Sequence, residues 1–360
     1  MEEKIYSIIA GTGCYVPEKI VCNDKFLTNV FYENEGKKIE IRNDEIIRKF
    51  KKITNISERT YISDNLVSSD IAAIAAENAL QSSGIDRESL DYIIVAHNFG
   101  DVKANNRRTD IVPSLASRVK QKLGIKNPFS VAYDVIFGCP GWLQGIIQAN
   151  YFIKSGDAKR ALVIGSETLS RVSDPHDRDS MIYSDGAGAT ILEGRKSIEP
   201  IGIMSHETRT DAEEFAYLLR MDKSYNPDIN PNDLYLKMNG RKLYEYALNY
   251  VPQLVRNCIE KAKLSLNKIN KVLIHQANEK MDEAILQRLF KLYEAMKVPP
   301  NVMPMIIDRL GNSSVATLPI LLDMILKGKL SEHQINAGDN LVFASVGAGM
   351  NINAITYKAV

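Results

Sequence analysis

The apolar positions of this chain follow two alternating periods. Ser68 to Ser83 spaces Ile71, Ala75, Ala79 and Leu80 by single helical turns, and Gly84-Ile85-Asp86 ends the run. Asp91 to Asn98 then reads as a buried strand that ends in His97-Asn98. The second half does likewise, with a helix over Leu243 to Leu264, a connector over Leu266 to Asn270 and a strand over Lys271 to Asn278. The parallel continues downstream. Gly138-Cys139-Pro140 opens a helix ending near Lys154 to Asp157, before the strand Ala161 to Gly165. Gly311-Asn312-Ser313 opens one ending at Leu326 to Gly328, before the strand Leu341 to Ser345. Each half closes on a Gly-Ala-Gly turn and a strand, at Gly186 to Leu192 and Gly347 to Ile355. Strands alternating with helices predict an α/β protein with parallel-rich sheets covered on both faces. The repeat divides near Lys196 to Pro200, into residues 1–198 and residues 199–360.

Composition narrows the class without naming a function. The 360 residues are 45% hydrophobic and 25% charged, as in ordinary globular proteins. Apolar stretches such as Thr317 to Leu326 fall short of the roughly 20 residues a bilayer crossing needs, so no membrane insertion is expected. Met1 to Ile5 carries two glutamates before its apolar run, the wrong charge order for a secretory signal, and predicts a cytoplasmic location. A net charge of +1 points to no nucleic acid partner. Cys14, Cys22, Cys139 and Cys258 form no CxxC pair and no tight Cys/His cluster, so neither a disulfide framework nor a metal site is indicated.

The candidate chemistry centres on Cys139. An apolar strand, Asp134 to Phe137, runs into Gly138, then the cysteine, then a proline placed for the first turn of a helix. Unpaired N–H groups and the dipole at a helix N-terminus favour the thiolate and predict a lowered thiol pKa. A small buried apolar residue is the ordinary role of cysteine, and Cys258, Cys14 and Cys22 are read that way. Of the five histidines, His275 stands at a strand end beside Gln276 and Asn278. His97 holds the equivalent place in the first half and is read as a structural or loop histidine, while His176, His206 and His333 are read as surface residues. Asn312 is either a helix N-cap or an amide donor to the site. Cys139 and Asn312 occupy equivalent corners of the two halves, near the axis that would relate them.

A family resemblance emerges from the order of the motifs. It runs from Gly11-Thr-Gly13-Cys-Tyr-Val-Pro17 through the Cys139 elbow, Val163-Ile-Gly-Ser-Glu167, Asp174-Pro-His-Asp-Arg178 and Asp185-Gly-Ala-Gly-Ala189. It continues to His275-Gln-Ala-Asn278, Leu310-Gly-Asn-Ser-Ser314 and Gly347-Ala-Gly349. Over nearly its whole length the chain resembles the β-ketoacyl-acyl carrier protein synthase III family of the thiolase superfamily. The resemblance implies a thiolase-like fold of two pseudo-symmetric halves, each with a mixed sheet, layered α-β-α-β-α. It implies a homodimer acting in fatty acid biosynthesis. Cys139 would take an acyl group from a thioester and pass it to malonyl-acyl carrier protein in a decarboxylating Claisen condensation. His275 and Asn312 would donate hydrogen bonds to the malonyl thioester oxygen. The backbone N–H groups of Cys139 and Gly349 would form a second oxyanion site. Arg178, Asn278, Lys280 and Arg288 would meet the substrate arm and the acidic carrier protein, the last two being otherwise solvated helix charges. No cofactor is implied, since coenzyme A or phosphopantetheine thioesters enter as substrates.

Two segments depart from the pattern. The family's adenine-stacking aromatic is replaced by isoleucine in Asn43-Asp-Glu-Ile46, and the segment that follows to Arg59 is longer, which favours an acyl carrier protein as donor. The loop His97 to Asp110, in a region that reaches the partner's acyl tunnel in dimers of the family, is longer and more charged than in starter enzymes. A specialised ketosynthase of secondary lipid or resorcinol-type polyketide synthesis is therefore an alternative, and a non-catalytic pseudo-ketosynthase is another. A papain-like hydrolase would require disulfides, a secretory signal and Cys-Trp at the nucleophile. A nicotinamide enzyme would require a Gly-x-Gly-x-x-Gly turn after the first strand. The sequence contains neither set.

Overall fold

The computed structural model describes residues 3–295 and 297–360. One sheet holds β1 (Lys4–Tyr15), β2 (Tyr92–Ala96), β3 (Val131–Val135), β4 (Arg160–Thr168) and β5 (Asp185–Ser197), in the order β1-β5-β4-β2-β3. The other holds β6 (Gly202–Thr210), β7 (Ile269–Ile274), β8 (Asn340–Gly347) and β9 (Asn351–Lys358), in the order β6-β9-β8-β7. In the first sheet β2 is parallel to β3 and β4, while β5 is antiparallel to β1 and β4. In the second β7 and β8 are parallel, and β9 is antiparallel to β6 and β8. Four strands thus repeat in the same order and sense, and 198–201 connects the two sheets.

The second sheet has no fifth strand among the described residues, and residues 302–305 run irregularly beside β7 at that edge. Val272 donates its N–H to the Val302 carbonyl at 2.8 Å, as a ladder would. Pro304 has no N–H to continue it. The buried Gln276 side chain substitutes, donating to the Pro304 carbonyl at 2.8 Å and accepting from the Ile306 N–H at 2.9 Å. This amide therefore closes the sheet edge beside His275.

The main helices are α1 (Asn43–Thr54), α2 (Ser68–Ser83), α3 (Leu115–Lys122), α4 (Gly141–Ser155), α5 (Gly240–Lys261), α6 (Glu279–Leu292) and α7 (Thr317–Leu326). Helices α4 and α7 lie between the sheets, α2 and α3 cover the outside of the first, and α5 and α6 cover the outside of the second. The layering is α-β-α-β-α. Helix α7 is apolar on all sides because both its faces meet a sheet: Leu318, Ile320, Leu321, Leu322 and Ile325 are all buried. Each such side chain contributes about 1.5–3 kcal/mol by its burial. Its one buried charge, Asp323, accepts from the Thr12 hydroxyl and pairs with Lys327, both at 2.8 Å.

Several local expectations are corrected. Gly186 to Gly188 lies inside β5 and makes no turn. Its glycines are required by the close approach of α7, since a Cβ on Gly188 would meet the Ile320 backbone nitrogen at 2.8 Å. The segment after His97 is a β-hairpin, Asp101–Lys103 with Asn106–Asp110, and not a loop. Cys22 is exposed and Cys258 buried, and all four thiols are free. His176, His206 and His333 are half-buried, each in contact with a neighbour: His176 bonds the Val30 carbonyl, His206 stands edge-on to Tyr151, and Lys271 approaches His333. Among the described residues, no helix is long and apolar enough to cross a membrane.

Candidate active site

Cys139 is presented by an elbow between β3 and α4. Gly138 adopts φ 64°, and the Gly141 N–H returns to the Gly138 carbonyl at 3.0 Å. Pro140 is the N-cap of α4, and its carbonyl accepts the first helical bond from Gln144 at 2.9 Å. The elbow packs against the turn Gly347-Ala348-Gly349, where a Cβ on Gly347 would come within 2.4 Å of the Cys139 nitrogen. Gly349 itself has φ 99°, a left-handed conformation suited to glycine.

His275 follows β7, and its N–H continues the ladder to the Ala344 carbonyl at 2.8 Å. The ring is buried, and that burial pushes its pKa down to about 4. The imidazole is accordingly neutral across the physiological range. Its Nδ1 has no hydrogen-bond partner among the described residues.

Asn312 is held through its backbone, donating to the Ile182 carbonyl and accepting from the Ser184 N–H, each at 2.8 Å. Its side-chain oxygen accepts the Ser314 N–H at 2.8 Å. It is not the cap of α7, whose N-cap is Ala316. With the oxygen occupied, the amide nitrogen is the end left to donate.

These three side chains line one cavity of about 400 Å³, together with Gly347 to Gly349 and the apolar Leu169, Leu236 and Val346. A larger cleft of about 1050 Å³ adjoins it, with Met238, Leu243, Ala277 and Met281 in the walls of both. Arg178 and Asn278 line that cleft, as does Ile46 of α1. Arg178 stands 3.6 Å from Glu33, and Asn278 caps α6 by accepting the Met281 N–H at 3.2 Å. Lys280 is exposed on the first turn of α6. Arg288 faces α5, donating to the Leu248 carbonyl at 3.1 Å and to Asn249 at 2.8 Å.

The thiol does not behave as its helix position predicts. Burial pushes Cys139 up to about 11, against the pull of a hydrogen bond from the Ser314 hydroxyl and of its own backbone N–H. The residue keeps partial exposure where it lines the cavity, but the groups packed around the sulfur desolvate the thiolate, and that outweighs the helix terminus. Ser314 stands 3.3 Å from the sulfur, a contact that the motif Leu310-Gly-Asn-Ser-Ser314 does not disclose. Its contact depends on a left-handed backbone at φ 52°, which no periodicity reveals.

A protein of Staphylococcus saprophyticus described as β-ketoacyl-[acyl-carrier-protein] synthase III is 30% identical over 355 residues, covering 97% of this chain and 98% of its own. The chain belongs to the β-ketoacyl-[acyl-carrier-protein] synthase III family. Residues 133–212 match the family description 3-oxoacyl-[acyl-carrier-protein (ACP)] synthase III, and residues 259–359 match its C-terminal part. The solved 3-oxoacyl-[acyl-carrier-protein] synthase III of Aquifex aeolicus is 28% identical, with a TM-score of 0.79 over 98% of this chain and 99% of its own. The synthase III of Thermus thermophilus is 27% identical, with a TM-score of 0.80 and the same coverage. The synthase III family is one of acyltransferases, and the thiolase-like fold follows from these likenesses.

His97 serves the fold. Its ring bridges Asp134 and the Gly100 N–H, both at 3.0 Å, which ties the end of β2 to β3 and to the hairpin.

Proposed function

We propose that the protein is a decarboxylating ketosynthase of the synthase III type, acting in fatty acid biosynthesis. The observation that carries this reading is the convergence of Cys139, His275 and Asn312 on one small cavity behind a long cleft. The thiolate of Cys139 attacks the carbonyl carbon of an acyl thioester, and the donor leaves as a thiolate that takes up the proton Cys139 lost. Malonyl-acyl carrier protein then enters by the same cleft. Its carboxylate departs as carbon dioxide, and the bonding pair passes to the thioester as an enolate. Two neutral donors, His275 and the Asn312 amide nitrogen, suit that developing oxyanion, and donors of this kind contribute about 3–4 kcal/mol each. The enolate carbon attacks the acyl carbonyl, whose oxygen meets the N–H groups of Cys139 and Gly349, and the Cys139 thiolate is released.

The rim of the cleft favours a carrier-borne donor. Ile46, on the buried face of α1, stands where an aromatic ring would be needed to hold an adenine against Arg178. The rim carries Arg48 and Arg241, paired with Glu45 and Glu245, and Lys49 and Lys52, which form no ion pair among the described residues, an excess of positive charge suited to an acidic carrier protein. A homodimer is part of the same reading. The outer edge of β3 has no neighbouring strand among the described residues, and Phe129, Val131, Ile136 and Val112 are exposed beside it.

Intact-mass spectrometry of the native protein and C139A, after incubation with acyl coenzyme A and acyl carrier protein thioesters, tests the reading. A mass gain on the native chain alone, lost again on adding malonyl-acyl carrier protein, is expected. Product formation by C139A would overturn it.

A further inference from the structure

Beyond Cys139, His275 and Asn312, a directed chain of hydrogen bonds ends on the reacting sulfur. It begins at Glu167, on the buried strand β4. One Glu167 oxygen, Oε2, accepts both the backbone N–H of Asn98 at 3.0 Å and the Asn98 side-chain nitrogen at 2.7 Å. The same Nδ2 of Asn98 donates a second bond to the Ser314 hydroxyl oxygen at 3.2 Å. An amide nitrogen has only protons to offer, so Ser314 receives there and must direct its own proton elsewhere. The atom in reach is Cys139 Sγ, at 3.3 Å.

We propose that Ser314 is the side-chain donor that favours the thiolate of Cys139, and that Asn98 and Glu167 are positioning residues that aim its hydroxyl at the sulfur. The proposal rests on Cys139 being the nucleophile. It assigns work to three residues from three separate segments: the end of β2, β4 and the turn after Asn312. A donated hydrogen bond stabilises a charged sulfur more than a neutral thiol, which opposes the desolvation of the site. The left-handed backbone of Ser314 is what turns its hydroxyl to Cys139 while its N–H holds Asn312. Glu167 is buried, its first oxygen is held by the two donors of Asn98, and its second has no partner among the described residues.

The test is the pH dependence of Cys139 alkylation by iodoacetamide, followed by peptide mass. The variants are S314G, S314A and N98A. Glycine suits a left-handed position better than serine does, so S314G removes the hydroxyl without straining the fold. In the two Ser314 variants the other titratable groups around the sulfur keep their places: Glu167, whose pKa burial raises to about 7 and whose charge raises that of Cys139 in turn, with His97, Asp134 and Asp185 beyond it, His275 from the second sheet, and Tyr183. In both Ser314 variants the alkylation midpoint is expected to move to higher pH by about one unit, making the rate at pH 7 about tenfold lower. In N98A, where the hydroxyl is free to rotate, a smaller shift in the same direction is expected. Profiles of S314G and S314A that overlay the native one would overturn the proposal and leave Cys139 as nucleophile. A native Cys139 that resists alkylation at every pH would overturn both.

Discussion

The side-chain oxygen of Asn312 accepts the backbone N–H of Ser314 at 2.8 Å, which fixes the amide with its nitrogen as the free donor. The isosteric N312D replaces that donor with an acceptor. Acylation of Cys139 is expected to survive, while condensation with malonyl-acyl carrier protein falls about 10²–10³-fold, the loss typical of one oxyanion donor. Single-turnover measurement of the two half-reactions separates them. Equal loss in both would assign Asn312 to loading instead.

His275 gives a stability signature as well as a catalytic one. Its pKa of about 4 in the fold lies below the ordinary value of 6.5. Below pH 6.5 the unfolded chain binds a proton that the folded chain refuses, so folding stability is lost as pH falls from 6.5 toward 4. Above pH 6.5 the difference vanishes. H275Q should therefore be less sensitive to acid than the native protein over that window, by about 3 kcal/mol at its lower end. Urea unfolding at pH 4.5 and pH 7.5 measures this. Parallel pH profiles for the two proteins would show that the ring is solvated. The condensation rate should show no loss from His275 protonation until pH approaches 4.

Much of this architecture was legible because it is repeated. The periods around Ile71 to Leu80 and within Leu243 to Leu264 fall on real helices, and the strands before His97 and His275 are equivalent in the two sheets. Cys139 could be found because strand, glycine, cysteine and proline together describe a turn with few other uses. What escaped the sequence depends on distance rather than on spacing. Gly186 to Gly188 has the composition of a turn but is a strand, because α7 presses on it. The thiol pKa depends on how closely distant segments pack around the sulfur. Ser314 lies 175 residues from Cys139, and only the folded backbone brings the two together.

Asp282 is a buried acid on α6 whose two carboxylate oxygens have no partner among the described residues. Burial pushes its pKa well above the ordinary value, with Glu279 and Glu283 adding to the rise. An acid raised in the fold is relatively tolerated at low pH and opposes folding as pH climbs past its unfolded value. D282L should raise the thermal midpoint at pH 8, by a stability gain of about 1–3 kcal/mol for removing an unsatisfied polar group. At pH 4 the gain should shrink. A destabilised D282L at pH 8 would mean that the carboxylate has a partner.

Arg288 illustrates how a surface charge can serve the fold. Helix α5 contains Pro252, which has no N–H for the carbonyl four residues earlier. That carbonyl belongs to Leu248, and Arg288 supplies the missing donor at 3.1 Å. R288A should destabilise the protein by about 1.5–3 kcal/mol, as expected for a hydrogen bond to a charged group. In a P252A background, where the helix can satisfy Leu248 itself, the loss should be smaller. A double-mutant cycle in urea reads the coupling, and additive effects would separate the two residues.

The rim of the cleft makes the opposite use of charge. Arg241 is engaged by Glu245 at 3.1 Å and Arg48 stands 3.6 Å from Glu45, whereas Lys49 and Lys52 form no ion pair among the described residues. Both lysines line the cleft from α1, between the exposed Ile41 and Ile53, so cationic and apolar groups alternate where a carrier protein must sit to deliver its arm. Reversing both, as K49E/K52E, should raise the KM for malonyl-acyl carrier protein about tenfold, mainly through slower association, with the effect fading as salt is added. The alkylation rate of Cys139 by a small neutral reagent should be unchanged, because neither lysine touches the inner cavity. R288A, whose guanidinium points at α5, should leave the same KM unaltered. A KM that ignores the two reversals would move the carrier protein to another face, with the exposed Lys280 on α6 the next position to reverse.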